Sequence, residues 1–500
     1  MEHLKIGWCE VDITPDKKVS LAGQFAERIS EYVEKPITAT AMAVECAGEQ
    51  MVLVSADVGS ISYRTVDAIR ERLAGNEQGL DPMKVVVSAI HTHTAPLLPT
   101  DTRQTEYTKI QASFRGMIES FLPEGRKYVE AVNTTGPDII TVDEFHELFI
   151  GQVSKAILEA WKTRKAGSYS TGFGRAAVGL CRRTVFSDGS AQMWGDTNTA
   201  AFVELEGGND SGIELMYVFD DKKELTGIVI NLACPAQCVQ HRLFVSPDFW
   251  GEVKVLLRKR FGEHIFMLPQ CSAAGDQCPV DLIRFVEPES DIHDPNVIRN
   301  NPPRRKADPS MFDLAGMRKT GRRIANEVIA VFEDGLDEPE RAPVFEHQVK
   351  MLQLPLRRAT MTDYNNACRE IQRYLDEHPG DVDYNNAAEL QVHMGVVRRF
   401  RVQDLMEVVD CEVHVIRLGN IAVASNPFEL FLNYGNQIKA RSKAEQTFLI
   451  QLANGKEGYL PTEKAERGGH YSGFIASGQV GHEGGDLLVR HTLDCINKMF

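Results

Sequence analysis

The residue pattern predicts a mixed α/β fold, β-sheets flanked by helices, with a helical hairpin inserted late in the chain. Two observations predict it. Short runs of β-branched and other apolar residues, such as Val85-Val86-Val87, alternate with longer stretches of helical periodicity. The 500 residues are 43% hydrophobic and 25% charged, ordinary values for a globular chain long enough to bury a large core. No repeat or low-complexity linker divides the sequence. The expectation is one elaborated unit over 1–500, with the hairpin at 360–408 as an insertion.

Each element has its own signal. Residues 39–45 and 51–56 read as a hairpin around Ala47-Gly48-Glu49-Gln50, and 62–74 as a helix carrying Val66, Ile69 and Leu73 and stopping at Gly75. Residues 85–89 form the next strand. The stretch 96–136, with Pro99, Pro123 and Gly125, is long for a loop and reads as a functional lid. Phe145, Leu148, Phe149, Val153, Ile157 and Trp161 share one face of a helix over 143–163 that Asp143 is expected to cap. Strands return over 168–232, with a tight turn at Ser187-Asp188-Gly189 and a buried strand at 227–233. A helix at 249–261, a strand at 265–268, an irregular surface segment at 281–309 and a helix at 311–332 follow. The hairpin breaks at His378-Pro379-Gly380. Strands over 412–424, a helix over 429–441, a strand at 448–452 and a helix over 486–499 complete the chain.

Charge and composition exclude several functions. Lys and Arg total 55 against 70 Asp and Glu, a net charge of −15, with no basic stripe. That disfavours nucleic acid and anionic lipid as partners, since both need a basic surface. No window of about 18 apolar residues suits a bilayer. No charged n-region precedes an apolar stretch, so no export signal is read. The 10 cysteines are scattered without a C-x-x-C pair and are expected to be reduced thiols in a cytoplasmic protein. A small-molecule substrate is the expected partner, with a homo-oligomer left open.

The chemistry centres on Ser88-Ala89-Ile90-His91-Thr92-His93-Thr94-Ala95-Pro96. In an extended chain, residues i and i+2 point to one side. His91 and His93 would then leave the strand end together, able to hold a divalent metal, or to split metal binding and proton transfer. The plain alternative is a polar loop with two solvated histidines.

Read in order, the chain resembles the catalytic domain of the neutral/alkaline (non-lysosomal) ceramidase family. The residues that carry the likeness are Asp12-Ile13-Thr14-Pro15, His91-Thr92-His93-Thr94, Cys181-Arg182-Arg183, Ala273-Ala274-Gly275-Asp276-Gln277-Cys278-Pro279, Asn426-Pro427-Phe428-Glu429 and Asn454-Gly455-Lys456-Glu457-Gly458-Tyr459-Leu460-Pro461-Thr462. They span nearly the whole chain. The sequence stops where that domain would stop, without the immunoglobulin-like domain of the lipid-cleaving members. The resemblance implies a zinc amidase cleaving an N-acyl bond. It makes His91, Glu429 and Tyr459 zinc ligands and His93 the proton carrier beside the metal. Arg182 and Tyr471 become donors to the developing oxyanion, with Cys181 replacing the usual asparagine before the arginine.

Two departures change that expectation. Pro235, in Asn231-Leu232-Ala233-Cys234-Pro235-Ala236-Gln237-Cys238, stands where the family has a second histidine ligand. Gln237, two residues on, offers a carbonyl oxygen, and His241 could fold back; either would complete a changed metal site. Cys278 occupies the place of a serine nucleophile. It could act as nucleophile, replace the lost ligand, or be a small buried residue. The expected function is a zinc-dependent hydrolase of an amide-like C–N bond in a small polar substrate, attacked by metal-activated water or by Cys278. The alternatives are a metal-assisted lyase or isomerase and a non-catalytic metabolite-binding descendant. Asp57, ending a strand near the histidine loop, is a candidate to orient an imidazole, and Arg182 and Arg183 could equally be solvated turn residues.

Overall fold

The computed structural model describes residues 3–24, 26–100, 119–129, 134–283, 313–383 and 388–500. Two sheets dominate it. The larger contains β1 (Lys5–Asp12), β2 (Thr38–Cys46), β3 (Glu49–Ala56), β4 (Val85–Ala89), β5 (Lys165–Arg175), β6 (Gly212–Asp220), β7 (Leu225–Leu232) and β8 (Phe266–Cys271). Their spatial order is β8-β7-β6-β5-β1-β2-β3-β4. The smaller runs β9 (Phe345–Pro355), β10 (Val408–Leu418), β11 (Ile421–Ser425) and β12 (Gln446–Ile450). The expected mixed α/β class holds.

The layers follow from which faces are apolar. Met42, Leu53, Val86, Met216, Val229, Ile416, Val423 and Phe448 fill the space between the sheets. The outer face of the larger sheet is covered by α1 (Tyr63–Leu73) and α2 (Val142–Lys162) on one half, and by α3 (Phe249–Phe261) and α4 (Asp313–Asp334) on the other. The stripe read from the sequence does this work on α2: Phe145, Phe149, Val153, Ile157 and Trp161 are all buried. The hairpin helices are α5 (Met361–Glu377) and α6 (Ala388–Val402). The smaller sheet's outer face lies under α7 (Leu432–Arg441) and α8 (His482–Met499).

Most strand pairs are antiparallel, and the parallel exceptions position the site. β3 pairs parallel with β4, β7 with β8, and β11 with β12. Their carboxyl ends meet. Ile90 N donates to Ala56 O (3.1 Å), Ser272 N to Leu232 O (2.9 Å), Gln451 N to Cys271 O (3.0 Å) and Ala89 N to Leu452 O (3.3 Å). The carboxyl ends of parallel strands are where α/β sheets gather ligands, because the chain leaves each strand there as a loop. The segments released here carry His91 and His93, Gln237, Cys278, Glu429 and Tyr459.

Several local expectations are corrected. Thr141, not Asp143, caps α2: its side chain accepts from Glu144 N while Glu144 reaches back, a reciprocal capping box. Glu429 does not open a helix. It lies in a short strand (Glu429–Leu430) paired parallel with Tyr459–Leu460, and α7 begins at Leu432. β9 had no clear signal, since its burial does not alternate strictly along its length. Much of the 96–136 stretch and nearly all of 281–309 lie outside the described residues. Among the described residues, no helix is long and apolar enough to cross a membrane.

Candidate active site

His91 takes a left-handed backbone, φ 63°, immediately after β4. The two histidines therefore do not converge by strand alternation, as the sequence suggested; a kink at the first brings the rings together. Their Nε2 atoms lie 3.4 Å apart, with the rings edge to face. His91 Nδ1 is 2.6 Å from the Gly59 carbonyl, which can only accept, so Nδ1 carries a proton and Nε2 is the nitrogen turned toward the site. Asp57 has a different task. Its carboxylate receives Lys254 Nζ (2.8 Å) and Thr38 N (2.8 Å), which ties β2 to α3.

His93 is held from several sides. Arg28 donates to its carbonyl at 2.6 Å. Gly23, at φ +91°, leaves room for its ring: a Cβ there would stand 2.2 Å from His93 Cγ. Burial, with further push from His91, Arg28 and Arg182, holds the imidazole well below the usual histidine range. It is neutral at pH 7.

Gln237 links this pair to Arg182. Arg182 donates from Nη1 to Gln237 Oε1 (3.1 Å), which turns the amide NH2 toward His93 Nε2 at 2.9 Å. The glutamine oxygen offered to a metal on sequence grounds is thus occupied by the arginine. Arg182 also donates to the Gly275 carbonyl (2.9 Å) and the Tyr459 hydroxyl (3.3 Å). It is 3% exposed, and Arg183 is 0% exposed, so neither is a solvated turn residue. Arg183 grips Glu206 and donates to the carbonyls of Tyr471 (2.9 Å) and Gly469 (2.9 Å), fixing the loop that delivers Tyr471.

The in-register pairing of Glu429 with Tyr459 places a carboxylate beside a phenol. Glu429 Oε2 stands 3.4 Å from His91 Nε2. Burial would raise the carboxyl, but His91, Arg182 and the Tyr459 hydroxyl outweigh it and keep it below the usual value, hence ionised. Tyr459 and Tyr471 hydroxyls are 3.3 Å apart. Burial and the Glu429 charge push the Tyr459 phenol well up and the Tyr471 phenol up to about 12, so both remain protonated donors.

Cys278 sits behind Arg182, wholly buried among Met193, Trp194, Val280 and Leu282. Burial pushes its thiol up to about 12, although Arg182 pulls the other way. At neutral pH it is a thiol, not a thiolate. His241 packs against Asp313, Nε2 to Oδ1 3.4 Å, at the start of α4. Sequence reasoning missed Gly59, whose carbonyl sets the His91 tautomer. It also missed Gln451, whose Oε1 accepts from Ala274 N (3.1 Å) and Leu430 N (3.0 Å), joining the loops that bear Cys278 and Glu429. Backbone partners leave no mark in a sequence pattern.

The donor set has a surplus of acceptors. His91 Nε2 faces an ionised carboxylate, and the two attract only through a proton on that nitrogen or a cation between them. Ligand atoms of a tetrahedral zinc site stand about 3.3 Å apart, given metal–ligand bonds of about 2.0–2.1 Å. The His91–Glu429 separation fits that edge, with the Tyr459 phenol beside it. The fit stops there: among the described residues no group of three or more His, Cys, Asp or Glu is placed to hold a metal. Pro235 supplies nothing, and the His93 lone pair already accepts from Gln237.

No known family and no curated protein matches the sequence. Solved structures do match the fold. Neutral ceramidase from Pseudomonas aeruginosa superposes with a TM-score of 0.66 at 15% identity, over 99% of this chain and 74% of that one. A ceramidase complexed with C2 gives a TM-score of 0.65 at 13% identity, over 99% and 75%. By architecture, the chain has a neutral ceramidase-like fold.

Proposed function

We propose that this protein is a hydrolase of an amide-like C–N bond in a small polar substrate, with His91, Glu429 and Tyr459 as the residues that would hold a zinc ion. The observation that carries this reading is the 3.4 Å approach of His91 Nε2 to the ionised Glu429, with the Tyr459 phenol beside them, an arrangement that a cation between the two would satisfy. The fold neighbours, both named as ceramidases, support amide chemistry.

When bound, the ion supplies Lewis acidity and a more acidic water. The protein's own groups do the rest. Neutral His93 gives up the Gln237 hydrogen bond at Nε2, accepts a proton there from the attacking water and returns it to the departing amine as the C–N bond breaks. The protonated Tyr471 hydroxyl donates to the developing oxyanion. Arg182 positions Tyr459 and Gln237 through its hydrogen bonds. Water is the favoured nucleophile, because the Cys278 thiol is buried and protonated.

The test is amine release from N-acyl amides together with metal analysis of the purified protein, where about one zinc per chain is expected. His91→Ala should abolish both; full turnover and full metal content in that variant would overturn the assignment. Pro235 and the missing third strong ligand favour one second reading, a lyase or isomerase using His93 and Tyr471 for proton transfer. Deuterium uptake into substrate without cleavage would identify it.

A further inference from the structure

The segment between β12 and Tyr459 presents a side chain that the mechanism above does not use. Asn454, at φ 53°, accepts from Val87 N (2.7 Å) and donates to Val85 O (3.0 Å) and Glu412 Oε1 (2.9 Å). Gly455 lies so close to Tyr63 that a Cβ would meet its ring at 2.5 Å. Glu457 N donates to Pro427 O at 3.0 Å. Between these fixed points stands Lys456. It is partly buried, and the one charged group it senses is the Glu429 carboxylate. Among the described residues it has no hydrogen bond and no ion pair.

An ammonium has three donors, and a lysine is almost never fully buried unless it is paired, so a partly buried one with no partner among the described residues is open to a partner from outside the protein. Lys254 in this same protein illustrates the rule, with Asp57 at 2.8 Å and Thr38 at 2.6 Å. Arg182, the other cation of the site, has its terminal nitrogens taken by Gln237, Gly275 and Tyr459. Arg182 keeps only its inner Nε without a partner, whereas none of the Lys456 donors is used among the described residues.

We propose that Lys456 is the substrate-recognition residue of this site and binds a carboxylate group of the substrate. One ammonium matches one carboxylate, and a phosphate dianion would meet stronger repulsion from the neighbouring Glu429. Burial lowers the Lys456 pKa, and an anion seated on it offsets that loss. This deepens the amidase reading and rests on it for the location of the substrate.

The experiment compares binding of N-acetyl amino acids with binding of their neutral carboxamides by calorimetry, for the intact protein, Lys456→Met and Lys456→Arg. At least one acid should bind ten-fold or more tightly than its amide. Lys456→Met should reduce that preference to within two-fold while leaving affinity for the amide unchanged, and Lys456→Arg should keep most of it. Absence of any preference for acids, or a preference that survives Lys456→Met, overturns the proposal. Amine release from the acids that bind is measured separately. Binding without release counts against the hydrolase and leaves the role of Lys456 standing.

Discussion

His91 Nε2 lies 3.4 Å from Glu429 Oε2, although 338 positions separate the two residues in the chain. The contact exists because the ends of β4 and β11 are stitched to the end of β12 by backbone hydrogen bonds. A proton on His91 Nε2, or a cation between the two, is what makes this approach favourable.

Glu429→Gln keeps the shape and removes the charge. It should lower metal content and reduce kcat/KM by more than about 100-fold, since even the groups that merely orient ligands are worth 10–100-fold. Metal analysis alongside steady-state kinetics checks this. Unchanged metal content in a folded variant would remove Glu429 from the ligand set.

Cys278→Ala should retain kcat/KM within about three-fold, a small change on the scale of one general acid–base group. The native thiol should resist iodoacetamide at pH 7.5. Rapid alkylation coupled to inactivation would restore Cys278 as the nucleophile.

Gly23→Ala should misplace His93, because its Cβ would occupy the ring's position at a backbone angle that disfavours any side chain. A shift of about 1 Å in a proton-transferring group costs about 100-fold in rate. Kinetics of this variant, with a crystal structure showing the ring, would settle it; wild-type turnover would show that His93 is dispensable.

Behind the site, Glu412 receives both Arg70 Nη1 (2.9 Å) and Nη2 (2.6 Å) and the ring of His414 (2.9 Å), and His414 meets His347 at 2.8 Å. Glu412→Gln leaves Arg70 buried without its anion and should cost about 3–5 kcal/mol in a denaturation experiment. A loss below about 1 kcal/mol would mean that the arginine finds water instead.

The same cluster gives a pH dependence. Burial holds His414 below the usual histidine range and His347 well below it, so both are neutral in the fold and take up protons on unfolding. The unfolded chain binds more protons below its histidine pKa of about 6.5, so stability is present above that pH and falls as pH drops through it. Urea midpoints at pH 7.5 and 5.5 should differ, the lower pH being less stable. Equal midpoints would require one of these histidines to be charged in the native state.

The sequence by itself determined the fold class, most helices and the residues worth suspecting. The apolar stripe of α2 is an example: its period of 3.6 is set locally, one face must be buried, and the structure buries it. Likewise Glu429 and Tyr459, each singled out by its own motif, lie side by side in the fold. Tertiary structure alone decided how the site is wired. Arg182 takes the oxygen of Gln237, Gly59 sets the tautomer of His91, and Asp57 answers Lys254 rather than an imidazole. Arg183, a plausible solvated residue by sequence, is wholly enclosed, and Lys456 is left without a partner. These outcomes depend on which strand ends meet and which carbonyls face inward, properties of contacts between residues hundreds of positions apart, on which local periodicity carries no information.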